Sequence, residues 1–280
     1  MIYTEYEQLD GKKIAYIRTG EWKENIIVFF HGFTGSKEYF PDGNANATIV
    51  SFDRPGIGES DISEYYLMET YLKNIYDILR KHQVSSVNVI GHSAGGYYAQ
   101  MFTSLYPEFV KTLSLVSSMI PLNCPKTKNL INGQWKFINL LSLKAKKISK
   151  FYFKMMAQSI NKDYDKQLEA NLKTLPEIEK KFMEDNPEMI RNAIINAVRN
   201  QGLGVCFDAY ALCQKRNELS ISKDIPVFVW HGQRDTTLPL SFVDYFVKEY
   251  SVKQVHKIDD AGHMLYLPYW DEILSEIIES

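Results

Sequence analysis

The sequence predicts an α/β fold: a mostly parallel central sheet flanked by helices, with a helical layer inserted between two of its strands. Three observations carry this reading. Short, apolar, β-branched runs alternate with helical stretches through residues 1–121 and again through 223–280. Between those regions the β-rich runs stop, and the chain turns helical and lysine-rich. Residues 122–222 carry 17 Lys+Arg against 10 Asp+Glu, whereas the remainder carries 15 against 24. An asymmetry of that size marks a separate layer. The expected organisation is a core of residues 1–121 and 223–280 with a helical cap insert over 122–222.

Lys12–Thr19 alternates apolar and polar side chains, the pattern of a strand near a sheet edge. Ile26–Phe30, Thr48–Phe52, Ser86–Ile90 and Thr112–Val116 are short and apolar, as parallel strands covered on both faces require. Glu64–His82 has helical spacing through Leu67, Tyr71, Ile75, Ile78 and Leu79, and Ala94–Tyr106 reads as a helix stopped by Pro107. Inside the insert, helical stretches are expected over Trp135–Met156, Asp163–Lys173, Pro176–Glu184 and Pro187–Arg199. Strands resume at Pro226–Trp230 and Val252–Ile258, separated by a helix over about Leu240–Tyr250. A last amphipathic helix starts near Tyr269.

Composition narrows the class of partner. The chain has 280 residues, 45% hydrophobic and 24% charged, which suits one large domain with an insertion. A formal net charge of −2 gives no global reason to expect nucleic acid or an anionic membrane. No apolar run approaches the roughly 18 residues that span a bilayer. The acidic start, Met1 to Glu7, lacks the layout of a signal peptide. The expectation is a cytoplasmic protein, monomer or homodimer, acting on a small molecule, with neither nucleic acid nor membrane as partner. Cys124, Cys206 and Cys213 fit neither a zinc site nor a CxxC redox pair, and no two of the six histidines form an HxxxH pair. No metal and no cofactor is expected.

The chemistry starts at Gly91-His92-Ser93-Ala94-Gly95, a GxSxG motif where a β-branched strand gives way to a helix. Such a strand–turn–helix holds a serine on a sharp elbow. A serine hydroxyl is a poor nucleophile until a base takes its proton, so a histidine and an orienting carboxylate should follow. Asp235 follows the strand run ending at Trp230, and His263 follows the run ending at Ile258. Both fall in loops at strand C-terminal ends, where open α/β sheets bind ligands. Ser93, Asp235 and His263 are therefore the expected triad. His31-Gly32-Phe33, after the run Ile26–Phe30, is expected to offer the Phe33 N–H, which with the Ala94 N–H would form an oxyanion hole.

Taken in order, His31-Gly32, Asp53-Arg54-Pro55-Gly56-Ile57-Gly58-Glu59-Ser60, the serine elbow, the Asp235 loop and the Gly262-His263 loop resemble the α/β-hydrolase family, in its branch with a helical cap. The resemblance covers the chain outside the insert. It implies an esterase-like serine hydrolase acting on a small or medium acyl substrate through an acyl-serine. Ser93 departs from the aspartate that dehalogenases and epoxide hydrolases of the family carry at the elbow. Ala94 departs from the tryptophan of proline iminopeptidases. The family places its acid after either of two strands, and Ser117, Ser118, Met119 and Ile120 supply none after the earlier one.

Asp259 and Asp260 stand close to His263 in sequence and are expected to point away from it. His31, His92 and His231 are expected to brace loops, and Arg54 to pair them. Trp135, Phe151 and Phe153 are the insert aromatics proposed to line a substrate pocket, against the alternative that they pack a helix face. Two other functions share these residues: carbon–carbon bond hydrolysis or lysis on the same triad, and a ligand-binding module without turnover.

Overall fold

The computed structural model describes residues 2–22, 25–41, 46–131 and 133–280. Among these, eight strands form one sheet: β1 (Ile2–Leu9), β2 (Lys12–Thr19), β3 (Ile26–Phe30), β4 (Thr48–Phe52), β5 (Val87–His92), β6 (Val110–Val116), β7 (Val227–Gly232) and β8 (Val252–Ile258). Their spatial order is β1-β2-β4-β3-β5-β6-β7-β8. The β1–β2 and β2–β4 pairings are antiparallel, and every pairing from β4 to β8 is parallel. β3, β4 and β5 are buried at each position, which is why they read as unbroken apolar runs. β1 gave no such signal. Neither of its faces is apolar, and it joins the sheet through full-length pairing with β2 and an Arg18–Glu5 ion pair.

Successive residues of β3 serve opposite layers, as strand geometry requires. Val28 and Phe30 pack with α1 (Met68–Lys81), α2 (Ala94–Leu105) and α9 (Ser241–Glu249). Ile27 and Phe29 pack with α10 (Trp270–Glu279). Among the described residues, six helices lie between β6 and β7: α3 (Gly133–Lys144), α4 (Lys146–Lys162), α5 (Tyr164–Leu172), α6 (Glu177–Asp185), α7 (Pro187–Ala197) and α8 (Leu203–Leu212). The single stretch expected over Trp135–Met156 is two helices, broken at Ala145, whose φ of −131° and ψ of 51° lie outside the helical region. α8 was not anticipated. It is apolar nearly all round and buried on almost every side, so it has no periodic face to read. All three cysteines are free and buried. No helix of the described residues is long and apolar enough to cross a membrane.

Candidate active site

β5 ends at His92 and α2 begins at Ala94, so Ser93 is the whole of the turn between them. Its φ of 53° and ψ of −124° put a non-glycine residue in a sparsely populated region, which persists only where the surroundings enforce it. They do. The Ser93 N–H donates to the Val116 carbonyl at 3.1 Å, and the Ser93 carbonyl accepts from the N–H groups of Gly96 and Met119 at 2.9 and 2.8 Å. A side chain at position 95 would run into the Phe30 carbonyl, so Gly95 lets α2 start this close to β3.

The elbow aims the Ser93 hydroxyl at His263. Oγ lies 2.9 Å from Nε2 of His263, and Nδ1 of His263 lies 2.8 Å from Oδ2 of Asp235. With Nδ1–H donating to the carboxylate, Nε2 is left to accept from the serine. The three residues meet because β5, β7 and β8 run parallel and release their loops at one edge of the sheet. The other Asp235 oxygen accepts from the N–H groups of Thr237 and Leu238 at 2.8 and 2.9 Å. Burial pushes this carboxyl up, but the His263 ring and the Leu238 N–H outweigh it and hold it below the ordinary carboxylate range. Asp259 accepts from the Gln233 side chain and Asp260 from the Tyr269 hydroxyl, so both are engaged elsewhere.

Backbone clamps hold His263 from two sides. His92 is buried, and burial first, then the neighbouring His263, pushes its imidazole down to about 3. As a neutral ring it donates Nε2–H to the His263 carbonyl at 2.9 Å. Glu179, on α6 and fully buried, accepts from the N–H of Gly262 and, at 3.2 Å, from that of Met264. Burial raises the Glu179 carboxyl, and those two N–H groups pull against the rise. Glu179 carried no signal in the sequence, where it stands in a charged helical run like any solvated glutamate. His31 and His231 brace their own loops, through the Gly32 carbonyl at 3.0 Å and the Leu238 carbonyl at 3.3 Å.

The loop carrying Phe33 passes directly over the serine: a side chain at Gly32 would meet Ser93 Cβ at 3.3 Å. Arg54, fully buried behind this loop, donates Nη1–H to the His31 carbonyl at 2.8 Å and Nη2–H to the Gly32 carbonyl at 2.7 Å. In a trans peptide the C=O and the N–H point to opposite sides. Drawing the Gly32 carbonyl onto Arg54 therefore turns the Phe33 N–H away from Arg54. The Ala94 N–H belongs to the first turn of α2, whose N–H groups have no partner within the helix. Arg54 in turn forms an ion pair with Asp208 of α8 at 3.1 Å, and Asp208 accepts from the hydroxyls of Tyr98 and Tyr66 at 2.6 and 3.2 Å. The pairing role expected of Arg54 thus extends to an insert residue, Asp208, that sequence reasoning missed along with its helix.

Two of the three insert aromatics reach this loop. The Phe33 ring lies 5.2 Å from Trp135 and 6.1 Å from Phe153, both buried. Phe151 does not. It sits two residues from Phe153, on another side of α4, and is 64% exposed. The expectation that Phe151 lines a pocket is corrected accordingly. A cavity of about 410 Å³ starts at Thr34, beside Phe33, and runs between α4, α5 and α7 past Met156, Leu168 and Ile194.

Comparison with known proteins agrees with this architecture. The family model for the alpha/beta hydrolase fold matches residues 25–268. A putative 2-succinyl-6-hydroxy-2,4-cyclohexadiene-1-carboxylate synthase of Bacillus subtilis (strain 168) is 30% identical over 115 residues, 39% of this chain and 42% of the relative. Lipase 1 of Psychrobacter immobilis is 30% identical over 114 residues, 39% of this chain and 36% of the relative. The chain thus spans less than half the length of either curated relative. Among solved structures, an esterase from Exiguobacterium antarcticum superimposes with a TM-score of 0.69 at 16% identity, covering 98% of this chain and 97% of that one. With the elbow, the strand order and the matched span in agreement, the chain belongs to the alpha/beta hydrolase fold family.

Proposed function

We propose that this alpha/beta hydrolase is a serine hydrolase that cleaves a small or medium carboxylic ester through an acyl-serine intermediate. The observation that carries the reading is the unbroken contact chain from Ser93 Oγ through His263 to Asp235, at 2.9 and 2.8 Å. In the proposed cycle His263 takes the Ser93 proton as Oγ attacks the ester carbonyl. Asp235 holds the imidazole in the tautomer that can accept and stabilises the imidazolium that forms. The N–H groups of Phe33 and Ala94 receive the oxyanion, the first of them oriented through the Arg54 clasp on the preceding carbonyl. His263 then protonates the leaving alcohol. Water, deprotonated by the same imidazole, releases the acid.

Residues 122–222 are proposed as a cap, with Trp135 and Phe153 packing on Phe33 and the cavity beginning at Thr34 receiving the substrate's apolar part. Its volume suits a small ligand. Ser93→Ala tests the reading: it removes one oxygen at the elbow and should leave the melting temperature near that of the wild type. The wild type is expected to label with a fluorophosphonate and to hydrolyse p-nitrophenyl esters, and the variant to do neither. Equal labelling of both proteins would refute Ser93 as the nucleophile.

A further inference from the structure

Between Phe109 and Lys162 the chain holds no aspartate or glutamate, and its stretch from Lys126 to Lys162 carries nine lysines. The whole-chain charge of −2 averages this segment against an acidic remainder and hides it. α4 divides its side chains among three faces. Ser149, Phe153 and Ala157 are buried against the rest of the protein. Lys147 and Lys154 lie on a second, exposed face. The third carries Ile148, Phe151, Tyr152 and Met155, spaced by three and four residues and 60%, 64%, 41% and 48% exposed. Adjacent α3 adds Phe137 and Leu140, also exposed, and the Phe137 ring meets that of Tyr152 at 5.8 Å, joining the two helices' apolar residues into one patch. Exposed Lys136 and Lys144 flank it on α3.

We infer that the α3–α4 face docks on an anionic lipid surface. A contiguous apolar patch of this kind on a soluble fold marks an interaction site. Lysine borders with aromatic and aliphatic side chains between them are the composition of a helix that lies in the headgroup region, apolar face inward. Lysine stems extend along apolar surface while the ammonium groups reach the phosphates. A second copy of this chain presenting the same face is disfavoured, because it would set lysines against lysines with no carboxylate in the segment to offset them. Tyr152 and Met155 belong both to the patch and to the cavity that starts at Thr34, so the docked face would bring that cavity's lining to the lipid.

The test is co-sedimentation of the full chain with vesicles of phosphatidylcholine, with and without phosphatidylglycerol, at low and high salt. The wild type is expected to pellet with the anionic vesicles, to stay in solution with the neutral ones, and to release as salt rises. Ile148→Ser with Phe151→Ser should abolish pelleting, and both sites are exposed, so thermal melts should be unchanged. Independently, Lys147→Glu with Lys154→Glu should weaken partition by at least about five-fold for each lysine lost. The inference is overturned if the wild type stays in solution with anionic vesicles, if it pellets equally with both compositions, or if either pair of substitutions leaves pelleting intact. It is equally overturned if sedimentation velocity finds a dimer that Ile148→Ser with Phe151→Ser dissolves, which would make the patch a self-association surface.

Discussion

Ser93 adopts a backbone conformation that a free chain avoids, and the cost is offset by three backbone hydrogen bonds and the packing of Gly95 on β3. Asp235 has the opposite character, an ordinary loop residue made acidic by what it touches. In the proposed cycle its carboxylate is needed for the imidazole tautomer, so Asp235→Asn should lower kcat by up to roughly 10⁴-fold with little change in KM. Asp260→Asn should be mild, because Asp260 bonds to Tyr269 on the protein's surface. Steady-state kinetics of both variants check the assignment, and a reversed order would show Asp235 to be the wrong acid and place it at Asp260. Ser93, Asp235 and His263 could be singled out in the sequence because each follows an apolar strand run, with glycines two residues to either side of Ser93, three before Asp235 and directly before His263. Glu179 and Asp208 were not, since their importance lies in which core loops the insert helices come to rest on.

At the scale of elements, the segment between β6 and β7 is joined to the core by buried polar groups as well as by apolar contact. α8 contributes Asp208 to Arg54, and α6 contributes Glu179 to the His263 loop. Removing one member of a buried ion pair leaves an uncompensated charge, so Asp208→Ala should destabilise the protein by about 3–5 kcal/mol. The combination Arg54→Met with Asp208→Leu should recover much of that loss, since apolar replacements of similar volume restore packing without a stranded charge. Urea unfolding of Arg54→Met, of Asp208→Leu and of the double measures the coupling. The double should also show reduced kcat, because the Gly32 carbonyl loses the Arg54 half of its hold and keeps only His31. The helices whose faces alternate were readable from sequence to within a few residues, as with α1, α9 and α10. α8 shows the limit of that method: a helix wrapped by protein on every side has no polar face to supply a period.

Across the whole molecule, the alternation of strands and helices was legible, because parallel strands buried on both sides must be apolar throughout. Charge was legible as an asymmetry between segments, yet its meaning was not, since the lysines of α3 and α4 gain direction only when the fold sets them around one apolar patch. The insertion of 110 residues between Val116, the end of β6, and Val227, the start of β7, has a consequence for how the protein is made. A ribosome adding about 5–20 residues per second takes roughly 5–20 s to cross that interval. Throughout it, the edge of β6 that β7 will cover stands open, its unpaired N–H and C=O groups an invitation to any other strand nearby. Refolding from urea should therefore lose yield steeply as protein concentration rises, measured as activity recovered after dilution, while dilute chains recover well. A nascent chain faces the same hazard on a crowded polysome, where its nearest neighbours are copies of itself caught at the same open edge.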